Sequence, residues 1–389
     1  MVSKVSAKIS KEVEYLNKIK DIFFAIKPSQ LEEVYQLIRD SRCIVPYGSG
    51  RTFSSLKIGT SQMVRDKVVI TPEDTGFPGV DKLEEWFGNT TFLLASGSGS
   101  SPTPLRALLD LKLHIDCTNS NKTNIILITS NPNSPMGEIA RDYGVVLELK
   151  GRTKTDKRYS TYERMLGLGI MGDQFELALL SLMQRIVEVM YRGWEAYKIF
   201  ELAEKEFINI GKLVDETVTS EAYSKLINAL FQPHSITLGG IGPSSLVASM
   251  AAIRFMHVKR ILGDEVFVAR RETTPQPRVG DTGIFISRSG NTEILLDWAK
   301  SFKRLGAKVI AFVGNKDSAL AKLSDCKFIL DDASGLTGGS PILRREPTTF
   351  YERAAYVLSP VPVHLCRKMG ELGYLLPEYL FDWYHSITD

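Results

Sequence analysis

Continuous apolar runs alternate along this chain with stretches whose apolar positions recur every three or four residues, the pattern of strands feeding helices. The clearest instance is residues 280–296. A short apolar strand there enters Ser287-Arg288-Ser289-Gly290-Asn291-Thr292, and helical spacing begins at Thr292. A second copy lies 191 positions earlier, where Phe92-Leu93-Leu94-Ala95 enters Ser96-Gly97-Ser98-Gly99-Ser100-Ser101 ahead of a helix from about Pro104.

The remaining pattern repeats around those two turns. Amphipathic helices are expected over 9–26 and 29–40, the second opened by Ser29 ahead of Glu32 and Glu33. Strand 43–47 leads into Gly48-Ser49-Gly50-Arg51-Thr52 and a helical stretch to residue 64, then strand 68–70 and an acid- and glycine-rich loop, 73–81. After the first serine turn, the wholly apolar strand 125–129 suits a sheet covered on both faces. It leads to Ser130-Asn131-Pro132, strand 145–149, a polar and basic loop over 151–165 and a strong helix over 173–190. The order then restarts with helices 196–214 and 220–230, strand 235–238 entering Gly239-Gly240-Ile241-Gly242-Pro243-Ser244-Ser245, and a helix to His257. Strand 266–268, the loop at Glu272, the second serine turn, strand 309–313 entering Gly314-Asn315 and a long helix over 350–369 complete it.

Landmarks keep their order while the offset drifts: Gly50 and Gly242 stand 192 apart, Ser96 and Ser287 191, Asn131 and Asn315 184, Glu176 and Glu352 176. A one-way drift is what loop-length differences between two copies of one fold give. The expectation is two α/β halves, 1–193 and 194–389, each a doubly wound, flavodoxin-like parallel sheet with helices on both faces. Ligands in such sheets bind past the carboxyl ends of the strands, where strand order reverses. Every glycine- and serine-rich turn named above follows a strand's carboxyl end.

At 389 residues and 43% hydrophobic, the chain can bury a large core in about two domains. A net charge of +3 with mixed signs gives no argument for nucleic acid or membrane partners. No N-terminal apolar leader and no spanning run is legible, so a soluble cytoplasmic protein is expected. Cys43, Cys117, Cys326 and Cys366 form no C-x-x-C pair, and none of the five histidines is paired at helical spacing. Neither a zinc site nor another metal cluster is expected.

The serine turns carry the candidate chemistry. Unpaired N–H groups at a helix start, the helix dipole and a glycine that admits a ligand make an anion cradle. Hydroxyls of Ser287, Ser289 and Thr292 add donors.

With these motifs the chain resembles the sugar isomerase (SIS) domain family of phosphosugar-binding proteins, and within it the 6-phospho-3-hexuloisomerases. Gly242 to Ala248 is similar to the family's G-R-S-G-L-V-A, Arg254-Phe255-Met256-His257 to R-L-M-H, Glu272-Thr273-Thr274-Pro275 to E-T-T-T-P, and Ile286 to Thr292 to I-S-G-S-G-E-T. In the first half, Gly50-Arg51-Thr52 keeps the arginine that Pro243 replaces. Thr129 to Pro135 is similar to T-S-N-P-x-S-P, and Met171 to Leu177 to M-G-x-x-F-E-L. Arg65 stands where the second half has His257, Arg288 where the family has glycine, and Asn291 where it has glutamate. Residues 331–347 match nothing in the pattern.

The resemblance implies isomerisation of 3-hexulose 6-phosphate to fructose 6-phosphate through a cis-enediol, with no cofactor and no metal, the charge being covered by hydrogen bonds. It implies His257 as the oxygen proton shuttle and Glu352, Glu176 and Glu272 as candidate carbon bases. Glu352 could instead be a buried acid paired with Arg353. Phosphate contacts fall to Ser287, Ser289, Asn291, Thr292, Gly242 and Ser244 in one half and to Ser96, Ser98, Ser101, Gly50 and Arg51 in the other. The two halves would form an internal pseudo-dimer with unequal composite sites, and the tandem chain a homodimer. A phosphoglucose/phosphomannose-type isomerase and a non-catalytic phosphosugar sensor remain open.

Overall fold

Two parallel five-stranded sheets, each covered by helices, make up the chain. The computed structural model describes residues 14–63, 66–74, 76–152, 169–170, 172–270, 273–333 and 346–374. The first sheet contains β1 (Cys43–Tyr47), β2 (Val68–Val69), β3 (Thr90–Ala95), β4 (Thr123–Thr129) and β5 (Val145–Glu148), in the spatial order β2-β1-β3-β4-β5. The second contains β6 (Ile236–Gly240), β7 (Val266–Val268), β8 (Thr282–Ser287), β9 (Lys308–Val313) and β10 (Cys326–Ile329), in the order β10-β9-β8-β6-β7. Read from the other side, the second order is the first repeated, and every pairing is parallel. The expected α/β, doubly wound pair is therefore the observed fold. In each sheet the order reverses between the first and third strands, beside the glycine turn on one and the serine turn on the other.

Side-chain alternation along the strands sorts the core into layers. Ile44, Leu93, Ile126 and Ile128 of the first sheet share one cluster with Leu238, Ile284, Ile286 and Phe312 of the second, through helices of both halves. Their neighbours in sequence face outward into separate clusters, Val45, Phe92, Leu94 and Leu127 in one half and Phe285, Val309, Ala311 and Val313 in the other. The halves are thus joined by their inner helical layers.

Several elements depart from the sequence reading. The long helix expected over 350–369 is two, Phe350–Leu358 and Val361–Glu371. Pro360 has no N–H to extend the first, so the chain turns at Ser359 and begins a new helix on the proline's fixed φ. The helix Pro28–Asp40 starts before Ser29, with Lys27 at the cap, because Pro28 suits its first position. The loop expected over 73–81 gives way at residue 80 to the short helix Val80–Phe87 between Gly79 and Gly88, and β10 carried no strand signal.

Candidate active site

The two serine turns superpose bond for bond. In the first, the Gly99 N–H donates to Ser96 Oγ at 3.1 Å, the Ser100 N–H to Ser98 Oγ at 3.3 Å, and Ser96 Oγ lies 3.0 Å from Ser101 Oγ. In the second, Gly290 donates to Ser287 Oγ at 3.1 Å, Asn291 to Ser289 Oγ at 3.2 Å, and Ser287 Oγ lies 3.1 Å from Thr292 Oγ1. Gly99 and Gly290 have φ of +66° and +63°. A Cβ at either would meet Ser134 or Ser318, the serines that cap the next helices, so only glycine fits there. The turns open the helices Pro102–Thr118 and Glu293–Arg304. Gly50 and Gly242, also at positive φ, are exposed at the starts of Gly50–Thr60 and Pro243–Lys259, where Ser245 Oγ donates to the Gly242 carbonyl and Ser244 is buried.

Those last two helices pack against each other in opposite senses: Arg51 shares partners with Arg254, and Ser55 Oγ lies 3.9 Å from Met250 Sδ. The C-terminal turn of the second half's helix therefore reaches the carboxyl edge of the first sheet. There, four buried charged side chains meet. Arg51 Nη1 donates to Asp173 Oδ1, and Arg51 Nε stands 3.0 Å from Glu176 Oε2. Arg254 Nε is 3.3 Å from Asp173 Oδ1 and its Nη2 is 3.5 Å from Glu176 Oε2. Two cations and two anions balance, which is what makes the burial tolerable. Ser359 donates to Asp173 at 3.4 Å and pairs with Tyr15 at 2.8 Å. Burial pushes the Tyr15 hydroxyl's pKa up, with Asp173 adding to it. Burial also acts to lower both guanidinium pKa values. At Arg51 the two carboxylates outweigh it and the pKa rises, whereas at Arg254 the neighbouring Arg51 adds to burial and it falls.

The carboxylates sit at the start of the helix Asp173–Tyr191, beside the first serine turn: a Cβ on Gly97 would lie 3.2 Å from the Phe175 ring. Gly172, at φ +86°, has its Cβ position 2.9 Å from Glu176 Oε1, so that carboxylate lies against bare backbone. A cavity of about 10 Å³ beside Arg51, Arg254 and Ser359 is far smaller than the several hundred Å³ a sugar ring needs. The interior of the cluster is therefore too small to enclose a sugar.

The structure brings Arg51 and Glu176 together and adds Asp173 and Arg254, which the sequence reading gave no role. Asp173 and Glu176, three apart at a helix start, and Arg254, three before His257, were the available signals. His257 is half-buried one turn beyond Arg254 on the same helix. Glu352 belongs elsewhere: Arg185 Nη2 donates to it at 2.8 Å, while Arg353 pairs with Glu206 at 2.6 Å, so the Glu352–Arg353 pairing weighed from sequence is not formed. Burial holds the Glu352 carboxyl pKa up despite Arg185. Glu272 and Arg65 lie outside the described residues. Among the described residues no group of His, Cys, Asp and Glu could hold a metal ion, and no helix is long and apolar enough to cross a membrane.

Comparison with known proteins bears on the family and the fold. The SIS-domain model matches residues 229–335, in the second half. A protein of Mycobacterium gastri named 3-hexulose-6-phosphate isomerase is 35% identical over 142 residues, 36% of this chain and 69% of that one. Among solved structures, tagatose-6-phosphate ketose/aldose isomerase from Escherichia coli superposes with a TM-score of 0.58 at 12% identity, over 92% of this chain and 90% of that one. The C-terminal domain of glucosamine-fructose-6-phosphate aminotransferase from Francisella tularensis gives 0.55 at 14% identity, over 95% and 93%. At such identities the structural likeness speaks to the fold.

Proposed function

The chain belongs to the SIS-domain family, and on that premise we propose that it is a phosphosugar isomerase moving the carbonyl of 3-hexulose 6-phosphate from C3 to C2, giving fructose 6-phosphate. The observation that carries this reading is the composite site. One half supplies a serine turn, Arg51, Asp173 and Glu176 at a single sheet edge, and the other half delivers the helix bearing Arg254 and His257. The division into halves at 193/194 is part of the same reading. The name of the Mycobacterium gastri relative supports the substrate.

In this mechanism the phosphate rests on the N–H groups and hydroxyls of a serine turn, which fixes the sugar chain above the cluster. Glu176 removes the proton from C2, and the electron pair moves through C2–C3 to the carbonyl oxygen, giving the cis-2,3-enediol. His257 carries the proton between O2 and O3, and the Glu176 carboxyl, which exchanges its proton with solvent while the enediol is held, protonates C3. Arg51 and Arg254 offset the negative charge that develops. Contact with Arg254, at 3.5 Å the longer of Glu176's two arginine contacts, is the one it gives up as it turns to the carbon.

A second reading, a phosphosugar-binding regulator without turnover, is favoured by that same double arginine clamp on Glu176. Incubating the protein with hexulose, hexose and pentose phosphates separates the two. Selective interconversion of 3-hexulose and fructose 6-phosphates supports the isomerase, and binding without conversion of any sugar selects the regulator.

A further inference from the structure

We infer that each chain has one working phosphosugar pocket, at the carboxyl edge of the first sheet with Arg152 and Lys150 as its phosphate cations, and that an Arg288–Asp331 ion pair seals the equivalent turn of the second. This rests on the phosphosugar reading above and says which of two look-alike sites performs it.

The two edges differ at matched positions. Leu149 donates to Thr129 as Leu330 donates to Val313, which pairs Lys150 with Asp331 and Arg152 with Ala333. Within the turns, Gly97 is paired with Arg288. In the first half the glycine makes room for the loop arginine: a Cβ on Gly97 would lie 2.8 Å from Arg152 Cδ, and the Arg152 N–H donates to Ser130 Oγ at 3.2 Å. The exposed Lys150 follows β5 on the same edge. Cations therefore flank a turn whose Ser98 is half-buried and whose Ser100 is exposed.

In the second half the cation is inside the turn, where Asp331 holds it. Arg288 Nε lies 2.9 Å from Asp331 Oδ2, with Arg353 3.8 Å from the other oxygen. Beneath this pair Ser289 is only 3% exposed, and Asn291 Oδ1 is occupied by the Ala319 N–H at 3.0 Å. Asp331, shared by Arg288 and Arg353, stands where the first half has the exposed Lys150, so the second edge sets an ion pair where the first offers a phosphate ester a lysine. The acid–base machinery divides the same way. Arg51 and Arg254 both serve the first edge, while Pro243 and Gln62 hold their places, 192 along, at the second. There Gln62 bonds Gln184 and the Thr348 N–H, and Glu352 is paired with Arg185.

Titrating the full-length protein with fructose 6-phosphate in a calorimeter tests this. The wild type is expected to bind one sugar phosphate per chain. Arg152→Ala, or Lys150→Ala if the first variant fails to fold, should weaken binding at least tenfold with the melting temperature little changed. Asp331→Asn should leave the affinity of the first site within about twofold. Two equivalent sites per chain, or affinity unchanged in both cation variants, overturns the inference. Absence of heat with every sugar phosphate tested overturns the phosphosugar reading itself, a different result.

Discussion

Replacing Arg254 by Gln, the residue found at the matching position of the other half, tests the buried charge cluster quantitatively. Arg254 lies 3.3 Å from Asp173 and 3.5 Å from Glu176. At an effective dielectric of about 20, each such unit pair carries about 5 kcal/mol of attraction, against the desolvation of three groups. Breaking one partner out of a buried pair costs about 3–5 kcal/mol, because the remaining set has a net charge and no solvent. That is a large part of the ~5–15 kcal/mol that holds a typical protein folded. Arg254→Gln should therefore destabilise the chain by about 3–5 kcal/mol in urea titrations. Asp173→Asn, which leaves a surplus cation, should cost a similar amount. The double variant restores neutrality with Arg51 facing Glu176 alone, so its cost should fall short of the sum by at least about 1 kcal/mol. Additivity within about 0.5 kcal/mol, or a single-variant cost below about 1 kcal/mol, would refute the claim that these four side chains form one compensated unit.

Two further outcomes follow from particular side chains. His257→Gln should lower turnover by about 10²–10⁴-fold while phosphosugar affinity survives, since a proton shuttle is lost and no phosphate contact is; unchanged turnover would remove His257 from the mechanism. Burial acts to raise the pKa of Glu84, but hydrogen bonds from Ser120, Thr123 and His114 outweigh it and hold it below the usual 4.5. A carboxyl pKa depressed on folding stabilises above the unfolded value and loses that stabilisation as pH falls. Glu84→Gln should thus cost about 1–3 kcal/mol at neutral pH, and the gap to wild type should narrow below about pH 4.5; a gap that widens in acid would contradict the assignment.

The strand–helix alternation and both serine turns were legible because their signals are local, although β10 was missed. Apolar runs, glycines at positive φ and capping serines each act within a few residues, and the repeat doubled every one of them. The break at Pro360 was missed, because helical spacing continues on both sides and hid it within one expected helix. What sequence could not show was which charges meet. Glu352 has Arg353 beside it in the chain, but adjacent helix residues point apart, and its partner is Arg185, from a helix in the other half. Asp173 reads as an ordinary first-turn acid until the second half's helix brings Arg254 to it. Asp331 opens a segment that matched no pattern, and its pairing with Arg288, the arginine that stands where the family has glycine, was not legible in the sequence.

The claim that a carbon-bound proton moves at the composite site is tested most directly by incubating the protein with fructose 6-phosphate in D2O and following the sugar by proton NMR. Transfer through a 2,3-enediol predicts loss of the C3 proton signal as deuterium enters, with the C1 protons retained. Exchange at C1 instead would point to a phosphoglucose-type reaction, and a sugar that binds but exchanges at no carbon would contradict the account.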